Sequence, residues 1–291
     1  MEMNELFRNY LAEGEWAGMR YSLVVPRESA SGLVGIDMGH KAGSSLDFKD
    51  YREYQPGDDL RHVDWHAYAR TDRLTIKLYR EEVSPHVDII IDGSRSMALE
   101  NTKKARATLE LAAVFAMAAA NAKCTHGAWM ASQGFRRILG GHERPTLWDG
   151  IDFEYGGNPL EAFSAPPGWR RNGIRVFISD LLWPGEPLEV LQRLAEGAAA
   201  VVVVQLLAKA DIDPPPPGST SLVDVENDDL LELFVDTVTR TRYSRALSDH
   251  QQNWHRFCTQ TGAFMAMVEA ETVTENWRLD PLEEAQILAI V

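Results

Sequence analysis

IDGSRSM, residues 91–97, follows the apolar run VDII and precedes the alanine-rich segment TKKARATLELAAVFAMAAANAK. The run has the length and composition of a strand buried on both faces of a parallel sheet. The segment after it is rich in Ala, Leu and Lys, the composition of a strong helix. Between them Asp92, Ser94 and Ser96 occupy alternate positions, so in an extended loop their oxygens point the same way. RVFISD repeats the pattern of an apolar strand ending in an acid, Asp180. AAVVVVQLL reads as a third buried strand, AFMAMVEA as the last one and PLEEAQILAIV as a closing helix. Strands alternating with helices such as PLEVLQRLAEG predict an α/β fold with a doubly wound, mostly parallel sheet. In such sheets ligands collect beyond the carboxyl ends of the strands. Asp92 and Asp180 therefore converge if their strands are neighbours.

The remaining sequence is arranged around this core. Residues 4–12 carry Leu6, Phe7, Tyr10 and Leu11 at helical spacing. TDRLTIKLYREE, 71–82, alternates as a strand with one buried face. DPPPPGST, 213–220, is a rigid connector. SLVDVEN and LLELFVD flank a turn at Asn227, Asp228 and Asp229 and predict a hairpin, while residues 236–261 form a helix ended by Gly262. The expected organisation is an N-terminal helix and linker over 1–30, a β arm over 31–83, and an α/β domain over 84–291 with a hairpin insertion at about 213–235. The arm and hairpin are expected to meet as a small antiparallel β satellite.

Composition narrows the function. Of 291 residues, 43 are acidic and 29 basic, a formal charge of −14. Such a molecule repels phosphate backbones and anionic membranes, so nucleic-acid binding is not expected. The apolar stretches are shorter than the roughly 20 residues a membrane span needs, and no signal peptide is evident at the N-terminus. Cys124 and Cys258 form no framework. The expectation is a cytoplasmic protein with no membrane insertion. No P-loop motif is present.

The loop carries a resemblance. D-G-S-R-S after an apolar strand resembles the metal-ion-dependent adhesion site (MIDAS) of von Willebrand factor type A domains. That pattern has D-x-S-x-S on one loop, a Thr on a second and an Asp after a later strand. Asp92, Ser94 and Ser96 match the first part and Asp180 the third; in GGNPL, Asn158 stands where the Thr is expected. The resemblance implies a metal site of Asp92, Ser94, Ser96, Asn158 and Asp180. An all-oxygen set favours Mg²⁺, or Mn²⁺ or Ca²⁺, over zinc.

A second resemblance lies upstream. LDFKDYREYQPGDDLRHVDWHAYARTDRLTIKLYREE, 46–82, with SRSM, SDLLWPG and LVDVEN, resembles the bacterial family called "domain of unknown function 58". That family is itself similar to von Willebrand type A domains and is commonly found beside MoxR-type AAA+ ATPases. The resemblance implies a partner in an ATPase-linked assembly system. Within the signature, Arg52, Arg61 and Arg70 are placed to neutralise Asp58, Asp59 and Asp64, with Trp65 as apolar anchor, a clasp holding the arm to the sheet domain.

The expected function is a non-enzymatic, divalent-metal-dependent protein-protein binding module. Its partner, a MoxR-type ATPase or its client, offers an Asp or Glu to the cation. Two alternatives stay open: a metal-dependent hydrolase or phosphotransferase using Asp92 as nucleophile, and a metal-free scaffold whose Ser-rich loop only caps a helix.

Overall fold

A computed structural model describes residues 2–24, 46–55, 58, 63–81, 85–225 and 229–291. In chain order it contains α1 (Glu2–Gly18), β1 (Tyr21–Leu23), β2 (Leu46–Glu53), α2 (Trp65–Thr71), β3 (Thr75–Glu81) and β4 (His86–Asp92). Then come α3 (Lys104–Asn121), β5 (Thr125–Ala131), β6 (Phe135–Arg137), β7 (Gly173–Ser179), α4 (Pro187–Ala195), β8 (Ala198–Leu207) and α5 (Lys209–Ile212). The chain closes with β9 (Gly218–Val223), β10 (Leu230–Val235), α6 (Thr237–Thr261), β11 (Phe264–Glu269), α7 (Ala270–Asn276), α8 (Asp280–Glu284) and β12 (Leu288–Ile290).

The fold is mixed α/β, with a six-stranded, mostly parallel central sheet and small antiparallel sheets. The central order is β11-β8-β7-β4-β5-β6, and every neighbouring pair is parallel except β5 with β6. From β4 the chain proceeds outward through β5 and β6, then returns to β4's other side to lay down β7, β8 and β11. The order thus reverses between β4 and β7, a switch point of the kind beyond whose carboxyl ends ligands collect in open α/β sheets.

Burial explains why these segments are strands. All seven residues of β4 and of β7 are buried. Val87, Ile89 and Ile91 pack toward α1, α3 and α7, whereas Ile90 joins Phe177, Leu191 and Trp254 on the side of α4 and α6. Because side chains alternate across a strand, helices on both faces require apolar residues at successive positions. Helix α3 is buried on nearly all sides, which its alanines allow. α1 lies directly against it: a Cβ on Gly14 would overlap the Glu110 backbone, and one on Gly18 would come within 2.7 Å of the Met117 Cβ. The two glycines set the helix spacing, and α1 runs on past the 4–12 stretch that its apolar periodicity marks.

Two compact units are present, Met1–Val25 with Pro85–Val291, and Pro26–Ser84. The N-terminal helix therefore belongs to the α/β unit, not to a separate leading segment. The expected closing helix is shortened to α8; Gln286 takes φ 56°, and β12 then pairs antiparallel with β1. In the smaller unit β2 pairs antiparallel with β3. Among the described residues β2-β3 and β9-β10 are each two-stranded sheets, where one joint satellite is expected from the sequence. The Gly/Ser-rich segments of 29–45 and most of the turn at 227–229 lie outside the described residues.

The clasp residues fall into separate roles. Arg52 donates to both oxygens of Asp58, at 2.8 and 2.6 Å, and Asp58 also accepts from Gln55 N. The guanidinium bond, more than the backbone bond, holds the Asp58 carboxyl below its usual range. Asp64 caps α2, its Oδ1 accepting from His66 N and Ala67 N. Trp65 corrects the expectation of an apolar anchor: it is 57% exposed and packs edge-to-face on Tyr68. As the first residue of the capped helix, it is turned outward. Arg70 donates to the His66 carbonyl within α2. Asp59 and Arg61 lie outside the described residues.

Candidate functional site

Asp92 ends β4, and Asp180 follows β7 directly, so the two acids stand side by side at the switch point. Both are almost fully buried. The Asp92 Oδ1 accepts from Ser94 N at 2.9 Å and its Oδ2 from the Ser179 hydroxyl at 2.6 Å. Ser94 and Ser96 lie with hydroxyl oxygens 3.0 Å apart, although Ser96 sits in the 3-10 turn Arg95–Ala98 and not in an extended loop. The loop is supported from outside by residue 155: Arg95 N donates to the Tyr155 carbonyl, and Tyr155 N to that of Gly93. Burial, and next the charge of Asp180, push the Asp92 carboxyl up to about 7, against the bonds from Ser179 and Ser94. The two acids are therefore electrostatically in contact.

Asp180 is held from several sides. Its Oδ2 accepts from the Lys104 ammonium at 2.6 Å, and its Oδ1 from Leu182 N at 3.0 Å. Its carbonyl accepts from Gln205 Nε2, and its N–H contacts the Met97 sulfur. The Lys104 ammonium also lies 3.2 Å from Asp211 Oδ2. Burial works to lower the Lys104 pKa, but Asp180 and Asp211 outweigh it and the ammonium is held above its usual value.

Asn158, a ligand in what the resemblance implies, is here engaged with backbone. Its Oδ1 accepts from Leu160 N at 2.9 Å, capping the 3-10 turn Pro159–Ser164, and its Nδ2 donates to the Pro184 carbonyl at 2.6 Å. Both ends of the carboxamide are engaged with backbone. It ties the 158–164 turn to the loop after Asp180.

The donor chemistry of the rest fits a hard cation. Two carboxylates and two hydroxyls approach from two loops, with no sulfur or imidazole among them. Among the described residues no three His, Cys, Asp or Glu side chains converge as a metal site; this set depends instead on the serine hydroxyls.

Sequence reasoning missed Ser179, Lys104 and Asp211. Ser179 looks like one more strand residue, and only the pairing of β7 with β4 brings it to Asp92. Lys104 did leave a signal: a lysine opening a helix opposes the helix dipole and calls for a nearby acid. Asp211 opens no apolar pattern and meets Lys104 only through the placement of α5.

Comparison with known proteins assigns the class. The family described as "Protein of unknown function DUF58" matches residues 50–143 and 160–253, well over half the chain. The chain belongs to that family. Uncharacterized proteins of Mycobacterium tuberculosis and Mycobacterium bovis are each 25% identical to it over 278 residues, covering 89% of this chain and 84% of theirs. Among solved structures, the conserved hypothetical protein BatB from Bacteroides thetaiotaomicron covers 69% of this chain and 98% of its own, at 12% identity and a TM-score of 0.36. An aerotolerance-related membrane protein from Bacteroides fragilis covers 62% and 99%, at 13% identity and a TM-score of 0.27. In this chain, no helix among the described residues is long and apolar enough to cross a membrane.

Proposed function

We propose that this protein is a non-enzymatic, divalent-cation-dependent protein-protein binding module of von Willebrand type A-like fold, acting in the cytoplasm. The observation that carries the reading is the convergence of Asp92 and Asp180 with Ser94 and Ser96 at the switch point between β4 and β7. Asp92, Ser94, Ser96 and Asp180 would hold Mg²⁺ or Mn²⁺, which supplies a Lewis-acidic position for the carboxylate of a partner protein. Around it this chain's own groups fix the donors. Ser179 and the Ser94 amide orient Asp92, while Lys104 and the Leu182 amide orient Asp180.

Several features favour binding over catalysis. Both Asp92 oxygens accept hydrogen bonds, which suits a carboxylate organising a coordination shell more than one attacking phosphorus or carbon. The charge of Asp180 works against a free ionised Asp92, and a cation held between the two acids would relieve that repulsion. The resemblance of the 46–82 signature supports a MoxR-type AAA+ ATPase, or its client, as the partner.

Titration with Mn²⁺, read by electron paramagnetic resonance, tests the reading. Wild type is expected to bind one ion, and Asp92→Ala to lose that binding while keeping its circular dichroism spectrum. Identical titrations of the two proteins would remove the cation from the proposal.

A further inference from the structure

Lys104 is the first residue of α3 and is 1% exposed. Lysines are almost never buried to this extent without an acidic partner. A cation in the first turn also faces the positive end of the helix dipole. Local preference therefore opposes a lysine here twice over, and such conflicts concentrate at functional sites. What holds it is a pair of carboxylates: Asp180 Oδ2 at 2.6 Å and Asp211 Oδ2 at 3.2 Å. Asp211 is itself fixed, its Oδ2 accepting from Ala208 N, while Tyr243 donates to its carbonyl. On the other side of Asp180 lies Asp92. Lys104 thus joins the buried Asp180, beside Asp92, to the partly buried Asp211, and burial leaves the Lys104–Asp180 contact weakly screened.

We infer that Lys104 is the residue that sets the strength of divalent-cation binding, acting as a built-in counter-ion that neutralises Asp180 and repels the incoming ion. This rests on the cation site proposed above and deepens it. With Lys104 in place, the ion meets less negative charge than Asp92 and Asp180 alone would present. A partner's carboxylate makes up the difference, so the ion and the partner bind cooperatively. Lys104 is a positioning residue in this scheme and does not itself ligate the ion. With the ammonium removed, Asp180 is left as a buried charge without a counter-ion, a state that a divalent cation relieves.

The test compares Mn²⁺ titrations of wild type, Lys104→Met and Lys104→Gln, with melting temperatures taken with and without Mn²⁺. Lys104→Met is expected to bind Mn²⁺ at least tenfold more tightly than wild type, a difference of about 1.4 kcal/mol. Its melting temperature should fall without the ion and recover with it by more than wild type gains. Lys104→Gln carries the same expectation and retains hydrogen-bonding capacity should the methionine variant not fold. Unchanged or weaker binding in the folded variants overturns the inference while leaving the cation site standing. So does a failure of both variants to fold with or without Mn²⁺, since Lys104 is then a structural counter-ion alone. Binding by the variants but not by wild type keeps the role of Lys104 and removes the proposed cation-dependent function. No binding by any of the three removes both.

Discussion

Asp88 and Asp92 lie on the same strand, on the same face, and both are buried, yet their surroundings are opposite. Asp88, at the amino end of β4, accepts from Trp129 Nε1 at 2.9 Å and lies 3.5 Å from His86 Nε2. Its register partner on β7 is Arg175, whose guanidinium rests over the Trp169 ring. Burial works to lower the Arg175 pKa, and the Asp88 charge opposes that. Asp92, at the carboxyl end, faces a second acid and is raised toward neutrality. Burying a carboxylate therefore does not by itself mark a site. The sign of the charge nearby does: at Asp88 it is that of a guanidinium, whereas an acid opposite an acid needs a third party.

The comparison breaks most visibly at Asp88. Asp88→Ala removes the acceptor of the Trp129 indole N–H and the charge that offsets the desolvation of Arg175, and is expected to cost about 2 kcal/mol in urea denaturation, with Mn²⁺ titration unchanged. Loss of Mn²⁺ binding there would show that the two ends of β4 are not separate in function.

Glu110 extends the comparison to a third buried acid. Burial pushes its carboxyl up to about 7, against the bond from Arg106 and with the help of Glu13. An acid whose pKa is higher in the folded state contributes stability below its unfolded value of 4.5 that is lost as pH rises through about 7. Asp92 has the same sign in the metal-free protein. Glu110→Gln is expected to flatten the fall in melting temperature between pH 4.5 and 7 without altering Mn²⁺ affinity. An unchanged pH profile would mean that Glu110 titrates near its ordinary value.

The smallest effect falls at Asn158. As a cap, its replacement by Ala is expected to cost about 1 kcal/mol and to leave Mn²⁺ affinity within twofold. A tenfold loss would return Asn158 to the coordination shell.

The contrast also explains what the sequence discloses. The strands β4, β7 and β8 were legible because burial on both faces writes continuous apolar runs, and α6 because Gly262 ends it in a left-handed conformation. Asp92 and Asp180 were legible because each closes such a run. The true length of α1 was hidden, since Gly14 and Gly18 lower helix propensity while serving the contact with α3. β12 was hidden too: three residues carry little pattern, and their partner β1 lies at the far end of the chain. The role of Asn158 depended on the Pro184 carbonyl, and that of Lys104 on two acids from other loops. Both are tertiary facts that spacing along one segment does not contain.

The docking of α1 bears on the continuity of the polypeptide. Between β1 and β4 the backbone leaves the larger unit and passes through the smaller one. A cut within that excursion would sever the covalent path but not the attachment. Glu15 remains paired with Arg144, the Asn121 amide still donates to the Met19 and Tyr21 carbonyls, and β1 stays hydrogen-bonded to β12. The leading helix is thus fastened to the body by its own grip, and the intervening excursion is free to diverge in length or composition without loosening it.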